Sequence, residues 1–275
     1  MGKNVNAADL PKLLRVKPRS RVTLGDALAD ATHGWQKREA EAVFERNKKR
    51  LEELQYTLYA EGVESLLVVL QAMDTAGKDS TIRNVMTAFN PQGCTVHAFK
   101  VPNDAERQYD YLWRAHMRVP PLGSIAVFNR SHYEDVLVAR VEKLVGPAVW
   151  KRRYRHINEF ERLLTDCNTR VVKFFLHISK DEQKERLEER LDDPAKHWKW
   201  DAADLDKRKQ WRDYMEAYEA TLARCSTAHA PWYVVPANRK WFRNLAVSQI
   251  LVNELESLSP KLPVSSIDPA DYRIF

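Results

Sequence analysis

The chain is poor in the features that would assign it to disulfide, metal-cluster or membrane chemistry. Three cysteines in 275 residues (Cys94, Cys167 and Cys225) are scattered, with neither the density of a disulfide framework nor a metal-ligand spacing. The eight histidines are dispersed and no His-Glu-x-x-His occurs, so each reads as a core or surface histidine. No stretch approaches the roughly 18 uninterrupted apolar residues of a membrane span. The opening Met-Gly-Lys-Asn-Val-Asn lacks the apolar core of a signal peptide. Internal repeats, low-complexity tracts and domain linkers are missing as well. A reduced, cytoplasmic protein without a membrane partner is expected.

What is present allows a large core and favours an anionic partner. Apolar residues make up 44% of the chain, enough to bury one large domain or one domain with an insert. Lys and Arg number 44 against 38 Asp and Glu, a net charge of +6. Nucleic acid, nucleotides and inorganic phosphate polymers all suit that balance, and charge alone does not separate them.

The most informative segment runs from Val68 to Thr81. An apolar strand enters a tight loop, Ala72-Met-Asp74-Thr-Ala76-Gly77, and Gly77-Lys78 opens a helix. Apolar positions Ile82, Val85, Met86 and Phe89 give that helix an i, i+3, i+4, i+7 face, which stops at Asn90-Pro91. Amides at such a helix start point at oxyanions, and Lys78 adds a mobile cation. The Walker A pattern would place Gly at 72 and Ser or Thr at 79, where the chain has Ala72 and Asp79. Asp74 inside the loop would repel phosphate unless a cation lay between them, which points to a divalent metal. The plain alternative is a strand-to-helix turn that happens to contain Gly-Lys.

Strand and helix signals alternate from Ser65 onward. Strands are expected at Leu66–Gln71, Thr95–Phe99, Ser124–Phe128, Val171–Ile178 and Trp232–Val235. Helices are expected near 78–89, 104–118, 147–166, 180–191, 204–225 and 239–257, with Asp104 and Ser179 as N-caps and a capping box from Ser179 to Glu182. This order implies an α/β fold, a parallel sheet flanked by helices on both faces, with ligands at the carboxyl ends of the strands. Residues 1–62 read as a basic arm followed by a long amphipathic helix from Trp35 to Tyr59. Phe44, Asn47, Leu51, Leu54 and Leu58 share one side of that helix, which packs on the core. Residues 63–258 form the kinase-like domain. A tail follows at 259–275.

One compositional break stands out, the Arg-, Lys-, Asp- and Trp-rich segment from Arg186 to Arg212. Two basic helices around Pro194 suggest a helical lid closing over phosphates. Alternatively, Arg186, Glu189, Arg190 and Asp193 form a solvated helix face.

A second polar cluster follows the third strand: Asn129-Arg130-Ser-His132-Tyr-Glu134-Asp135. With the phosphate loop upstream it reads as metal and phosphate binding, and Arg130 as a bidentate phosphate clamp. Here the resemblance becomes specific. Met73-Asp-Thr-Ala-Gly-Lys-Asp79 together with Phe128-Asn-Arg-Ser-His-Tyr-Glu-Asp135 resembles the polyphosphate kinase 2 family. Leu191-Asp-Asp-Pro-Ala-Lys-His-Trp-Lys199 resembles its lid, and Pro231-Trp-Tyr-Val-Val-Pro-Ala-Asn-Arg-Lys-Trp241 its last strand and helix entry. The likeness covers about Leu51 to Leu255.

The resemblance implies a thymidylate kinase-like P-loop fold and Mg2+-assisted phosphoryl transfer between inorganic polyphosphate and adenine, or guanine, nucleotides. It implies a homo-oligomer and no nucleic-acid partner. Asp74 and Glu134 are assigned to the metal. Ala76, Gly77, Lys78, Asp79 and Ser80 would hold the transferring phosphate, and Arg130, helped by Arg83, would stabilise transition-state charge. Lys100, Arg190, Lys196 and Lys199 would follow the phosphate chain. Most members carry Asp where this chain has Asn129, and Asn where it has Glu134. That exchange resembles class III, which phosphorylates both mono- and diphosphates, so these two positions are expected to set nucleotide specificity. Trp113, Trp198 and Trp200 are base-stacking candidates without assignment. His132 is not required as a phosphorylated nucleophile. An ATP-dependent nucleoside monophosphate kinase and a non-catalytic polyanion- or nucleic-acid-binding protein are the competing readings.

Overall fold

A computed structural model describes residues 5–265, 267 and 272–274. The polar residues 1–4 and tail positions 266, 268–271 and 275 lie outside it.

Along the chain run α1 (Leu10–Leu14), α2 (Asp26–Ala29), α3 (Lys37–Glu61), β1 (Ser65–Ala72), α4 (Lys78–Val85), β2 (Cys94–Ala98), α5 (Trp113–His116) and β3 (Ile125–Asn129). Then come α6 (Val138–Val141), α7 (Pro147–Asp166), β4 (Thr169–His177), α8 (Lys180–Asp192), α9 (Ala203–Lys209), α10 (Trp211–Cys225), β5 (Trp232–Pro236) and α11 (Lys240–Leu258). The five strands form one parallel sheet in the order β2-β3-β1-β4-β5. Because β1 lies between β3 and β4, the loops leaving β1 and β3 emerge side by side at the carboxyl end of the sheet, where α/β proteins bind ligands.

Both faces of the sheet are covered, and the alternation along each strand divides the core. Leu66, Val68 and Leu70 pack with Leu51, Leu54 and Leu58 of α3 and with the apolar side of α11. Leu67 and Val69 face the other way, against Ile157, Phe160 and Leu164 of α7 and Tyr214 and Tyr218 of α10. Asn47 in the stripe of α3 is buried and donates to Ser248 Oγ and Gln249 Oε1 at 3.1 Å, tying α3 to α11 by a polar contact within the apolar seam. Gly62, at φ 69°, ends α3 in the left-handed conformation that glycine adopts without strain. The arm runs along the sheet edge: Val16 N donates to Trp232 O at 2.8 Å and Arg15 bridges antiparallel to Tyr233. This covers an otherwise open β5 edge.

Three expectations differ in detail. The helix expected over 104–118 is a 3-10 turn at Glu106–Gln108 followed by the short α5. Asp104 does not cap it; instead Asn103 Oδ1 accepts from Glu106 N while Glu106 Oε2 accepts from Asn103 N. Asp110 then accepts from Leu112 N, and this local turn interrupts the helix. The helix expected over 204–225 breaks at Gln210 into α9 and α10. At the start of α8, Ser179 Oγ accepts from Glu182 N at 3.2 Å. The return half of that capping box is absent, because Glu182 turns its carboxylate to Arg186 Nε and Ser179 N donates to Asn238.

Candidate active site

The loop after β1 is held from below as well as by its own backbone. Thr75 (φ 66°) and Gly77 (φ 102°) are left-handed, and Ala76 N donates to Met73 O at 3.3 Å. Beneath them, Arg186 donates to the carbonyls of Thr75, Ala237 and Asn238, and the buried Arg243 donates to Ala76 O. Burial, with Arg186 adding like-charge repulsion, pulls the Arg243 guanidinium down to about 9. Arg186 is thus a buried cross-link between the β1 and β5 loops, which rules out the alternative of a solvated helix face for this residue.

Lys78 opens α4, and its Nζ folds back to Ala72 O at 2.8 Å and Met73 O at 3.3 Å. Burial and the nearby Arg130 charge lower its ammonium to about 8, against the opposing pull of Asp74, Glu134 and Asp79. Ser80 Oγ and Thr81 Oγ1 both donate to Gly77 O at 3.0 Å. The first amides of α4 have no partner within the helix, which is the usual provision for an anion.

The β3 loop approaches from the side. Arg130, itself left-handed at φ 60°, donates its backbone N–H to Leu70 O and its Nη2 to Asp74 Oδ1 at 2.9 Å. Asn129 Nδ2 donates to Asp79 Oδ1 at 2.7 Å. Between Arg130 and Glu134, His132 and Tyr133 point inward and are fully buried. Tyr133 OH donates to Glu161 Oε1, while Lys173, on β4, bonds Glu161, Tyr133 OH and Cys225 O. His132 Nε2 lies 3.4 Å from Glu161 Oε1, and burial holds the imidazole below its ordinary pKa. His132 is therefore an anchor of the loop.

A cleft of about 620 Å3 opens over these loops, with the lid on its far wall. Of the residues expected in the site, Asp74, Gly77, Lys78, Asp79, Ser80, Arg83, Lys100, Asn129, Arg130, Arg190, Lys196 and Lys199 line it. Ala76 and Glu134 do not. Ala76 is fully buried. Glu134 lines a smaller recess behind Arg130, shared with Asp74, Lys207, Tyr214 and Tyr218. Asn129 thus lines the cleft and Glu134 the recess, and Arg130 borders both spaces. Trp198 lines the cleft and is 78% exposed, whereas Trp113 stacks on Tyr109 at 4.3 Å in a different groove.

Among the residues at the cleft and its loops that were not expected from the sequence are Asp204 and Lys207 on α9, and Lys240 and Arg243 on α11. Arg243 lies on the buried side of α11 with Phe242, Leu245, Ala246 and Val247, a position where an arginine needs a partner. Lys207 reaches Asp74 Oδ2 at 3.3 Å. Burial pushes the Asp74 carboxyl up, but Lys78, Arg130 and Lys207 outweigh it and hold it below its ordinary range. Burial and the Asp74 charge push Asp204 up to about 6.

For a metal, Asp74 and Glu134 offer two hard oxygen donors lining one recess. Among the described residues no group of three or more His, Cys, Asp or Glu is placed to hold an ion. Two carboxylates without a protein cage fit a divalent cation that keeps waters and takes substrate phosphates as ligands.

A parallel sheet of this order, with a phosphate loop after its central strand and a basic lid across the strand ends, defines a P-loop kinase-like α/β protein. Residues 34–263 match the polyphosphate kinase 2 family model, and the chain belongs to that family. It is 53% identical over 255 residues to the AMP/ADP-polyphosphate phosphotransferase of Meiothermus ruber, covering 92% of this chain and 95% of that one. It is 46% identical over 227 residues to the ADP-polyphosphate phosphotransferase of Rhodopseudomonas palustris, covering 78% of each. The crystal structure of polyphosphate kinase 2 from Arthrobacter aurescens TC1 superposes with a TM-score of 0.93 at 44% identity, over 98% of this chain and 97% of that one. Among the described residues no helix is long and apolar enough to cross a membrane.

Proposed function

We propose that this chain transfers a phosphoryl group between inorganic polyphosphate and nucleoside mono- and diphosphates, AMP and ADP among them, with Mg2+ as the metal. The observation that carries the reading is the meeting of Lys78, Asp74 and Arg130 at the carboxyl ends of β1 and β3, inside a cleft walled by a basic lid. The names of the relatives from Meiothermus ruber and Rhodopseudomonas palustris support it.

The attacking oxygen of AMP or ADP is already ionised at neutral pH, so positioning and charge neutralisation do the work and no general base is needed. Lys78 and the amides at the start of α4 hold the transferring group. Arg130 stabilises charge as it develops, assisted by Arg83 in the same cleft. Asp79 and Ser80 shape the loop around the phosphates. Lys100, Arg190, Lys196 and Lys199 steer the polymer, and the lid keeps water out. Asp74 and Glu134 would hold Mg2+, which would supply charge neutralisation between two polyanions. The three free cysteines fit a reducing, cytoplasmic setting. We also propose a homo-oligomer without a nucleic-acid partner, to be tested by light scattering with and without added oligonucleotide.

The test is ATP formation from purified protein, magnesium, long-chain polyphosphate and ADP, with AMP in a parallel reaction. ATP above a control without polyphosphate is expected in the first, and phosphorylated product in the second. Transfer only from ATP to a nucleoside monophosphate would replace this reading with an ordinary nucleotide kinase.

A further inference from the structure

Five charged side chains, alternating in sign, run from the β3 loop through the phosphate loop into the lid. Arg130 Nη2 lies 2.9 Å from Asp74 Oδ1, and Asp74 Oδ2 lies 3.3 Å from Lys207 Nζ. Lys207 Nζ lies 3.9 Å from Asp204 Oδ1, and Asp204 Oδ2 lies 3.3 Å from Arg190 Nη1. Asp204 is buried at 9% side-chain exposure, with Arg190 at 21% and Lys207 at 24%. These are partly desolvated charges, and their spacing matters more than that of surface pairs.

Asp204 and Lys207 stand at i and i+3 on α9, so they share one face, and that face is turned to the phosphate loop. A carboxylate in this position opposes any polyanion entering the cleft. Its partners, however, are two long cations that would otherwise repel one another and splay into solvent. With Asp204 between them, Arg190 is held in the cleft wall and Lys207 on Asp74, the carboxylate that Arg130 also pairs with.

We propose that Lys207 is a further phosphate-binding cation of the transfer site, delivered by the lid, and that Asp204 is the internal anion that holds Lys207 and Arg190 until a phosphate group takes its place. The proposal rests on the polyphosphate reading above. It differs from a purely mechanical role, in which Lys207 and Asp204 serve only to hold the lid against the loop. As struts, their removal would change phosphate binding in the same direction. As cation and placeholder, it would change it in opposite directions.

The experiment is calorimetric titration of tripolyphosphate, in EDTA-containing buffer so that metal plays no part, into the full chain and three variants. Lys207→Met should weaken binding by about tenfold or more, the scale of one charge-assisted hydrogen bond. Lys207→Arg should stay within about threefold of the parent, since charge and reach are kept. Asp204→Asn should tighten binding about three- to tenfold, because it removes a like charge at close range. Urea midpoints check folding, and Lys207→Gln stands in if the Met variant does not fold. Shifts of the two charge-removing variants in the same direction, or unchanged binding in Lys207→Met, would overturn the proposal while leaving the kinase reading intact. A parent chain that binds no tripolyphosphate without metal would also overturn the proposal, while the kinase reading stands or falls separately on ATP formation with magnesium.

Discussion

Arg243 lies directly beneath Gly77, so close that a Cβ built on the glycine would fall 1.9 Å from the arginine Nη1. The guanidinium has little room to retreat: it is 1% exposed and bonded to Asn244 Oδ1 and Ala76 O. Gly77 is also left-handed, a conformation that costs an ordinary residue roughly 1–2 kcal/mol. Gly77→Ala should therefore lower kcat/KM by about tenfold or more and reduce the thermal midpoint by a few degrees. Steady-state kinetics and a melting curve check it, and parental values in both would show that the loop absorbs a methyl group.

Lys78→Ala and Asp74→Asn should each leave less than about 1% of transfer activity, the scale of losing one group aimed at the transition state. Their far-ultraviolet circular dichroism should match the parent, because both side chains contact the loop and none of the core layers. Turnover near the parental rate in either folded variant would remove that residue from the site.

The pair flanking Arg130 is expected to set nucleotide choice. Asn129→Asp combined with Glu134→Asn moves the carboxylate from the recess behind Arg130 into the large cleft, where it would meet Asp79 in place of the present 2.7 Å hydrogen bond. The ratio of AMP to ADP phosphorylation should change several-fold, on the order of 1 kcal/mol of discrimination. Identical ratios in parent and double variant would detach these positions from specificity.

The buried Glu161–Lys173 pair makes an acid-sensitive core. Burial alone pushes the Glu161 carboxyl up, yet Lys173 and His132 outweigh it and hold it below its ordinary value. A carboxyl depressed in the folded state adds stability above its unfolded pKa, near 4.3, and loses that contribution as pH falls through the folded value. Glu161→Gln leaves Lys173 buried without its counter-charge and should cost about 3–5 kcal/mol at pH 7. The double variant with Lys173→Met should recover part of that loss. Urea denaturation at pH 7 and pH 4 measures both effects. A single variant as stable as the parent would show that water or Tyr133 replaces the pairing.

Much of the site was legible because its residues are close in sequence. Two runs, 73–80 and 129–134, each follow a strand, and a parallel sheet brings such strand ends together. Lys78, Asp74 and Arg130 could thus be grouped before any coordinates. The role of Arg186 was not legible, since a charge spaced with Glu189, Arg190 and Asp193 suits a lid or a solvated face alike. Only the packing of α8 against the β1 and β5 loops makes it a buried clamp. The missing helix at 104–118 has a comparable origin, because local Asn103 and Asp110 turns outcompete a weak helical pattern.

The sequence by itself determined the strand–helix alternation, the parallel sheet, the phosphate loop with its unusual Asp74, and the resemblance to polyphosphate kinase 2. Periodicity and contiguous motifs are local properties that survive in one dimension. Tertiary structure decided which distant charges meet: Lys207 on Asp74, Arg243 beneath Gly77, Lys173 under Tyr133, and Glu134 in a recess apart from the main cleft. These depend on how helices far along the chain cross the sheet, and electrostatic coupling falls off with distance in space, whatever the separation in sequence.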